Sequence, residues 1–302
     1  MSAVPQQSQE SRSPEQWTVQ RILEWTTAHL SKHGSESPRL DAEILLAHSR
    51  KCTRIELYTK FNEVLTDEQR GTMRELVQRR AKAEPVAYLV GHREFYGLPF
   101  RVTADVLIPR PDTETLVMEL LSLAKSMESP RILDVGTGSG CIAVAIAANL
   151  KAARVTAVDL SDAALTIAKA NAEANKVVDQ ITFLEGDGYS PLAADARFDF
   201  IVSNPPYVAE GELDQLQPDV RLHEPKMALV SGSDGLDLAR RLIDEAPKHL
   251  VPGGGLLLEI SPEQAKTVQN LMQAGDRYKN VRILKDLSGL PRVAAAQLAS
   301  DS

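Results

Sequence analysis

The sequence predicts an α/β protein, a doubly wound domain on a parallel sheet preceded by a small helical bundle. Two observations carry this. Beyond Asp112, short apolar runs alternate with longer helical stretches, whereas up to about Glu84 the apolar residues recur at helical spacing. The length of 302 residues agrees, being enough for two domains at roughly 100–200 residues each.

Residues 1–13 are polar, rich in Gln and Ser, and read as a disordered, solvated tail that cannot repay the entropy of ordering. Residues 14–84 form the helical domain. Val19, Ile22, Leu23 and Trp25 mark a first helix, Leu40, Ile44, Leu45 and Leu46 a second, and Met73, Leu76 and Val77 a third. Ser13-Pro14 is a start signal for the first, and Thr66 with Gln69 makes a capping box for the third. Trp17 and Trp25 read as bundle core, and Arg79-Arg80-Ala81-Lys82 as a solvated face. Residues 85–111, with aromatic and β-branched residues around Gly91, Gly97 and Pro99, suit a hairpin linker. Residues 112–302 alternate. Strands are expected at 132–135, 155–158, 181–184, 198–202 and 255–260, and helices from about Cys141, over 162–175 and near 236–250. Repeated strand-helix-strand units imply right-handed crossovers and a sheet covered on both faces.

Composition narrows the function. Two cysteines, Cys52 and Cys141, exclude a disulfide scaffold and a four-cysteine zinc site, and six scattered histidines add no metal spacing, so no metal is expected. No apolar run is long enough to span a bilayer, and the start lacks a signal-peptide core, which points to a cytoplasmic protein. The formal charge of −7 opposes a dominant grip on nucleic acid, and no direct DNA binding is expected. The first 100 residues hold 14 Lys and Arg against 13 Asp and Glu, so any basic surface lies there. Nothing demands an oligomer, and a monomer is expected.

Three motifs carry chemistry. Gly136-Thr137-Gly138-Ser139-Gly140 follows the first strand of the second domain, where glycines let the backbone approach a ligand and adopt positive φ. Asp159 ends the next strand, 19 residues past Gly140, where a carboxylate can accept hydrogen bonds from the vicinal hydroxyls of a ribose. The competing reading of Asp159 as a helix cap is met by Ser161 or Asp162, either of which can cap instead. No Walker lysine follows Gly140, so an adenosyl cofactor without a phosphate chain fits best. Asn204-Pro205-Pro206-Tyr207 directly follows the fourth strand. There the prolines hold the Asn204 carboxamide still, and its oxygen and the Pro205 carbonyl can together accept both hydrogens of a planar NH2 group beside the Tyr207 ring.

Asn-Pro-Pro-Tyr after such a glycine loop resembles methyltransferases that act on amide or aromatic exocyclic nitrogens. The likeness extends through residues 84–91, 94–98 and 106–114, Glu224-Pro225, residues 234–237, Pro252-Gly253-Gly254 and Leu258-Glu259-Ile260. On these residues the chain is similar to the protein-(glutamine-N5) methyltransferase family acting on peptide chain release factors, over roughly residues 15–298.

The resemblance implies a Rossmann-like methyltransferase domain with a mostly parallel seven-stranded sheet behind a helical domain and a hairpin linker. It also implies methylation of the glutamine amide in the release factors' Gly-Gly-Gln motif, with S-adenosyl-L-methionine as donor. Cofactor contacts then fall on Gly136, Thr137, Gly138, Ser139, Gly140, Asp159, Asp187, Gly188 and Asn204. Catalytic and substrate contacts fall on Asn204, Pro205, Pro206 and Tyr207. Gly188 departs from the family, which often carries a bulky side chain there, so adenine packing is assigned to Tyr189 or Ile142. Ser261-Pro262-Glu263-Gln264 and Gly289-Leu290-Pro291-Arg292 also depart, and read as lying outside the reaction centre. Arg110 and Glu114 read either as orienting the substrate loop or as an ion pair between domains. The alternatives are a DNA or RNA adenine-N6 methyltransferase, which should bring a basic groove, and a non-catalytic cofactor-binding module, which intact Asp159 and Asn204 oppose.

Overall fold

The computed structural model describes residues 16–300, in two compact units that divide between Val90 and Gly91. The expected tail at 1–13 lies outside the described residues.

The first unit is helical: α1 (Val19–Lys32), α2 (Pro38–Arg50), α3 (Arg54–Thr59), α4 (Asp67–Arg80) and the short α5 (Val86–Val90). Leu23, Leu45, Leu46, Leu57, Met73 and Leu76 form its core. Thr18 caps the first helix, its hydroxyl accepting from Arg21 N at 3.3 Å, and Ser13-Pro14 lies outside the described residues. Thr66 and Gln69 make the anticipated capping box, and Thr53 with Glu56 makes a second. Two side-chain expectations fail. Trp25 is half exposed, stacked on His29 at 4.9 Å, instead of filling the core. Arg80 is not solvated but forms a 2.8 Å ion pair with Asp41, which joins α4 to α2.

The second unit opens with the hairpin β1 (His92–Phe95) and β2 (Leu98–Arg101), so the hairpin occupies the middle of the 85–111 segment, which begins as helix α5. Its two-residue turn, Tyr96-Gly97, has φ of 52° and 71°, the left-handed pair a tight hairpin needs. Then follow α6 (Glu114–Ala124), β3 (Arg131–Val135), α7 (Cys141–Asn149), β4 (Arg154–Asp159), α8 (Asp162–Ala174), β5 (Ile181–Glu185), β6 (Phe198–Ser203), α9 (Pro218–His223), α10 (Asp237–Glu245), β7 (Leu250–Glu259), α11 (Ala265–Gln273), β8 (Tyr278–Lys285) and β9 (Pro291–Leu298). The helix expected to reach 250 stops at Glu245 and tightens into a 3-10 turn containing Pro247, which cannot donate within a helix.

The seven-stranded sheet runs β5-β4-β3-β6-β7-β9-β8, with only β9 opposing its neighbours. Alternation along β3 assigns the two faces. Ile132 packs with Leu116, Leu120 and Ile146 of α6 and α7, while Leu133 and Val135 pack with Leu242, Ile243 and Val268 of α10 and α11. From β3 the chain winds outward to β4 and β5, then returns to place β6 on the other side of β3. The order therefore reverses between β3 and β6, and the crevice at their carboxyl ends is where open α/β sheets bind ligands.

Asn171 of α8 ties the hairpin to this crevice. Its Oδ1 accepts from Arg101 N at 2.7 Å, and its Nδ2 donates to Arg101 O at 3.0 Å and to Ser139 O at 2.8 Å. Asn171→Ala orphans the buried Ser139 carbonyl and is expected to cost about 2 kcal/mol, measured as a lowered denaturation midpoint with unchanged slope.

Candidate active site

The site begins with the loop that carries β3 into α7. Gly136 and Gly138 have φ of 71° and 55°, and a Cβ on either would meet nothing within 4 Å, because both line an open cavity. Gly140 serves packing instead. A Cβ there would lie 3.0 Å from that of Ala168, so this glycine lets α7 start hard against α8. Asp134 is fully buried below the loop, where its Oδ2 accepts from the Thr137 hydroxyl at 2.7 Å and burial pushes its carboxyl up to about 7.

Asp159 ends β4 at the rim of the same cavity. Its Oδ2 accepts from Gly138 N at 2.7 Å and its Oδ1 from Ser161 N at 2.9 Å, so the carboxylate braces the glycine loop and is not unengaged. Each oxygen keeps acceptor capacity for a further donor. Ser161 is the cap of α8, accepting from Ala164 N at 3.2 Å.

Across the switch point, Ser203 ends β6 in register with Val135, and its buried hydroxyl donates to the Val135 carbonyl at 2.7 Å. This fixes Asn204 beside the glycine loop. Its Nδ2 donates to Thr113 Oγ1 at 3.3 Å, and the residue lines the cavity together with Gly136, Gly138, Asp159, Asp187, Gly188 and Pro206. Leu160, Met227 and Leu238 supply apolar wall.

Comparison with known proteins places this geometry. Residues 21–91 match the PrmC N-terminal domain family and residues 111–232 the methyltransferase small domain family. A release factor glutamine methyltransferase of Rhodopirellula baltica is 50% identical over 287 residues, spanning 94% of this chain and 97% of its own. The chain belongs to the release factor glutamine methyltransferase family. A member from Geobacter sulfurreducens is 42% identical, spanning 95% of this chain and 99% of its own. Among solved structures, the hMettl16 catalytic domain in complex with MAT2A 3'UTR hairpin 6 superposes with a TM-score of 0.54 at 20% identity, over 76% of this chain and 83% of that one, which bears on the fold alone.

As a release factor glutamine methyltransferase, the chain uses S-adenosylmethionine, and the residues present fit it. Two glycines leave backbone open to close approach, Asp159 has acceptors to spare at the rim, and Leu160 and Leu238 offer apolar surface. Other family residues sit differently from expectation. Tyr189 and Ile142 are core and do not line the cavity: Tyr189 stacks on His249 at 5.0 Å and donates to Leu242 O, and Ile142, in the first turn of α7, joins the core cluster of Leu116, Leu120 and Ile132. Asp187 lines the cavity with its carboxylate held by Arg241, whose hydrogen bonds keep it below the usual range. The left-handed φ of 62° favours glycine at 188, where a Cβ would also stand 2.9 Å from Arg241 Nη2, the mobile end of that ion pair. Thr137, Ser139, Gly140, Pro205 and Tyr207 lie outside the cavity lining. Tyr207 is mostly enclosed, and burial pushes its hydroxyl up to about 12.

The two segments read as remote from the reaction centre brace it. Gln264 Nε2 donates to the Tyr207 carbonyl at 2.9 Å. Arg292 pairs with Asp112 and with Asp286, each at 3.2 Å. Arg110 pairs at 2.5 Å with buried Glu224, within the second unit, and Glu114 accepts from Tyr96 N at 2.9 Å, so the two do not pair with each other as an interdomain bridge. Among lining residues missed from sequence, Leu160 and Met227 left only the signal of a large apolar side chain beside a recognised motif, after Asp159 and after Glu224-Pro225, and the structure leaves both more than half exposed.

Proposed function

We propose that this chain methylates the side-chain amide nitrogen (N5) of the glutamine in the Gly-Gly-Gln motif of peptide chain release factors. The observation that carries the reading is the sharing of one cavity by Asn204 and Pro206 with Gly136, Gly138 and Asp159, which sets an amide-binding motif against a nucleoside-binding loop. S-adenosylmethionine, when bound, supplies an electrophilic sulfonium methyl. Gly136, Gly138 and Asp159 hold the donor, and Asn204, which lines the cavity, and the adjacent Pro205 carbonyl, outside the lining until substrate binds, accept from the substrate NH2. Those two acceptors raise electron density on a nitrogen whose lone pair is otherwise delocalised, and they fix its approach. Positioning of this kind contributes several kcal/mol without a charged base. The proton lost from the methylated amide passes to water.

Among the described residues, no group of His, Cys, Asp and Glu is arranged to hold a metal ion and no helix is long and apolar enough to cross a membrane. The reading includes action as a monomer in the cytoplasm, on a protein substrate and not on DNA, in keeping with the net charge of −7.

The test is transfer of labelled methyl to a purified release factor, to its Gly-Gly-Gln glutamine-to-alanine variant and to duplex DNA in parallel. Label on the unmodified factor alone is expected. Label on DNA, or equal label on the variant factor, would overturn the assignment.

A further inference from the structure

Behind Asn204 lies a buried polar cluster that the mechanism above does not use. Glu259 is the last residue of β7, one past Leu258, which pairs with Ser203, so it stands level with Asn204 on the neighbouring strand. Only 1% of Glu259 is exposed, and neither carboxylate oxygen has a hydrogen-bond partner among the described residues. An unpartnered buried carboxylate is costly and calls for a reason. Thr113, equally buried, accepts from Asn204 Nδ2 at 3.3 Å. Thr113 also lies near enough to Glu259 to act on its carboxyl, although the pair does not meet full hydrogen-bond geometry. Burial pushes the Glu259 carboxyl up to about 7, while Thr113 and then Arg292 act to lower it.

The direction of these contacts matters because a carboxamide has two chemically opposite ends. Only its oxygen can accept from a substrate NH2 group. A threonine hydroxyl has one hydrogen to give, so it receives from Asn204 Nδ2 reliably only if that hydrogen is directed elsewhere. In its ionised form, populated above about pH 7, Glu259 is an acceptor and nothing else, and it is then the group that settles the direction.

We propose that Thr113 and Glu259 are positioning residues for methyl transfer: Glu259 orients the Thr113 hydroxyl, which turns the Asn204 nitrogen inward and leaves its oxygen facing the cavity. The inference rests on the amide-methylation reading above and assigns neither residue any contact with the reacting atoms.

The test compares Thr113→Ser, Thr113→Val, Glu259→Gln and the double variant Thr113→Val/Glu259→Gln with the parent. Measured are kcat and KM for methyl transfer to the release factor, and S-adenosylmethionine affinity by calorimetry. Thr113→Val and Glu259→Gln are expected to lose kcat on the order of tenfold, with KM and cofactor affinity unchanged. Thr113→Ser should retain the parent rate, and the double variant should be no slower than the slower single, as for groups acting in one chain. Equal rates for Thr113→Ser and Thr113→Val, a parental rate for Glu259→Gln, or losses confined to KM would overturn the proposal. Should Thr113→Val fail to fold, Glu259→Gln and Thr113→Ser decide it alone. An active parent with unaffected variants removes only the positioning role, whereas a parent that labels no release factor removes the functional reading and this inference with it.

Discussion

Replacing Asn204 with alanine is expected to slow methyl transfer about 10²-fold or more, the effect of losing a preorganised polar contact to the reacting group. The fold should survive. Ser203 still ends β6 with its hydroxyl on the Val135 carbonyl, and the prolines that follow need no partner from residue 204. The glycine loop and Asp159 are untouched, so the loss of S-adenosylmethionine affinity from the one cavity contact removed should be small beside the loss of rate. The loss belongs in kcat, because the carboxamide acts on the nitrogen as its electron density shifts toward the methyl and contributes little to holding the rest of a protein substrate. Steady-state kinetics beside cofactor titration checks this. A parental kcat would contradict the amide clamp, and a collapse of cofactor affinity would make Asn204 a binding residue instead.

Replacing Asp159 with alanine should act on the other partner. Two losses combine: acceptors for the donor's hydroxyls, and the bracing of Gly138 N and Ser161 N at 2.7 and 2.9 Å. Hydrogen bonds to a charged group are worth about 1.5–3 kcal/mol, which weakens binding by about 10–150-fold. Asp159→Asn should fall between parent and alanine, since it keeps one acceptor oxygen but turns an NH2 group toward backbone donors. Calorimetric affinities in the order parent, Asn, Ala are expected, with kcat at saturating cofactor much less affected than in Asn204→Ala. Unchanged affinity in Asp159→Ala would remove its role.

The sequence exposes those parts of the site that local chain geometry dictates. Glycine at alternate positions after a strand, a carboxylate closing the next strand and a proline-stiffened corner after the fourth each need only their own neighbours, and each lies at the expected strand end. The parts that escape it are set by tertiary proximity. Asn171 joins residues 70 positions away, and Gln264 reaches back 57 to Tyr207. A polar side chain reads the same in sequence whether it faces water or a buried carbonyl. Strand β9 escapes for another reason. Its Ala294-Ala295-Ala296 run has weak strand propensity, and its place between β7 and β8 makes it a strand. Tyr189 misleads because an aromatic residue next to a ligand loop suggests stacking, whereas the chain there turns it into the core against His249.

The Ser203 to Val135 contact has a consequence for how tightly the reaction distance is held. In the proposed reaction the loop assigned to the donor leaves β3 and the motif assigned to the acceptor leaves β6, and these strands are immediate neighbours joined residue for residue from Ile132 with Phe200 to Val135 with Ser203. Adjacent strands lie about 4.8 Å apart, close to the roughly 3–3.5 Å at which reacting atoms must meet. Strand spacing thus fixes how far apart the two segments leave the sheet, and the loops themselves set the remaining distance. Loop substitutions can tune that remainder, while slipping β6 by a single residue along β3 would carry the acceptor about 3.3 Å out of reach.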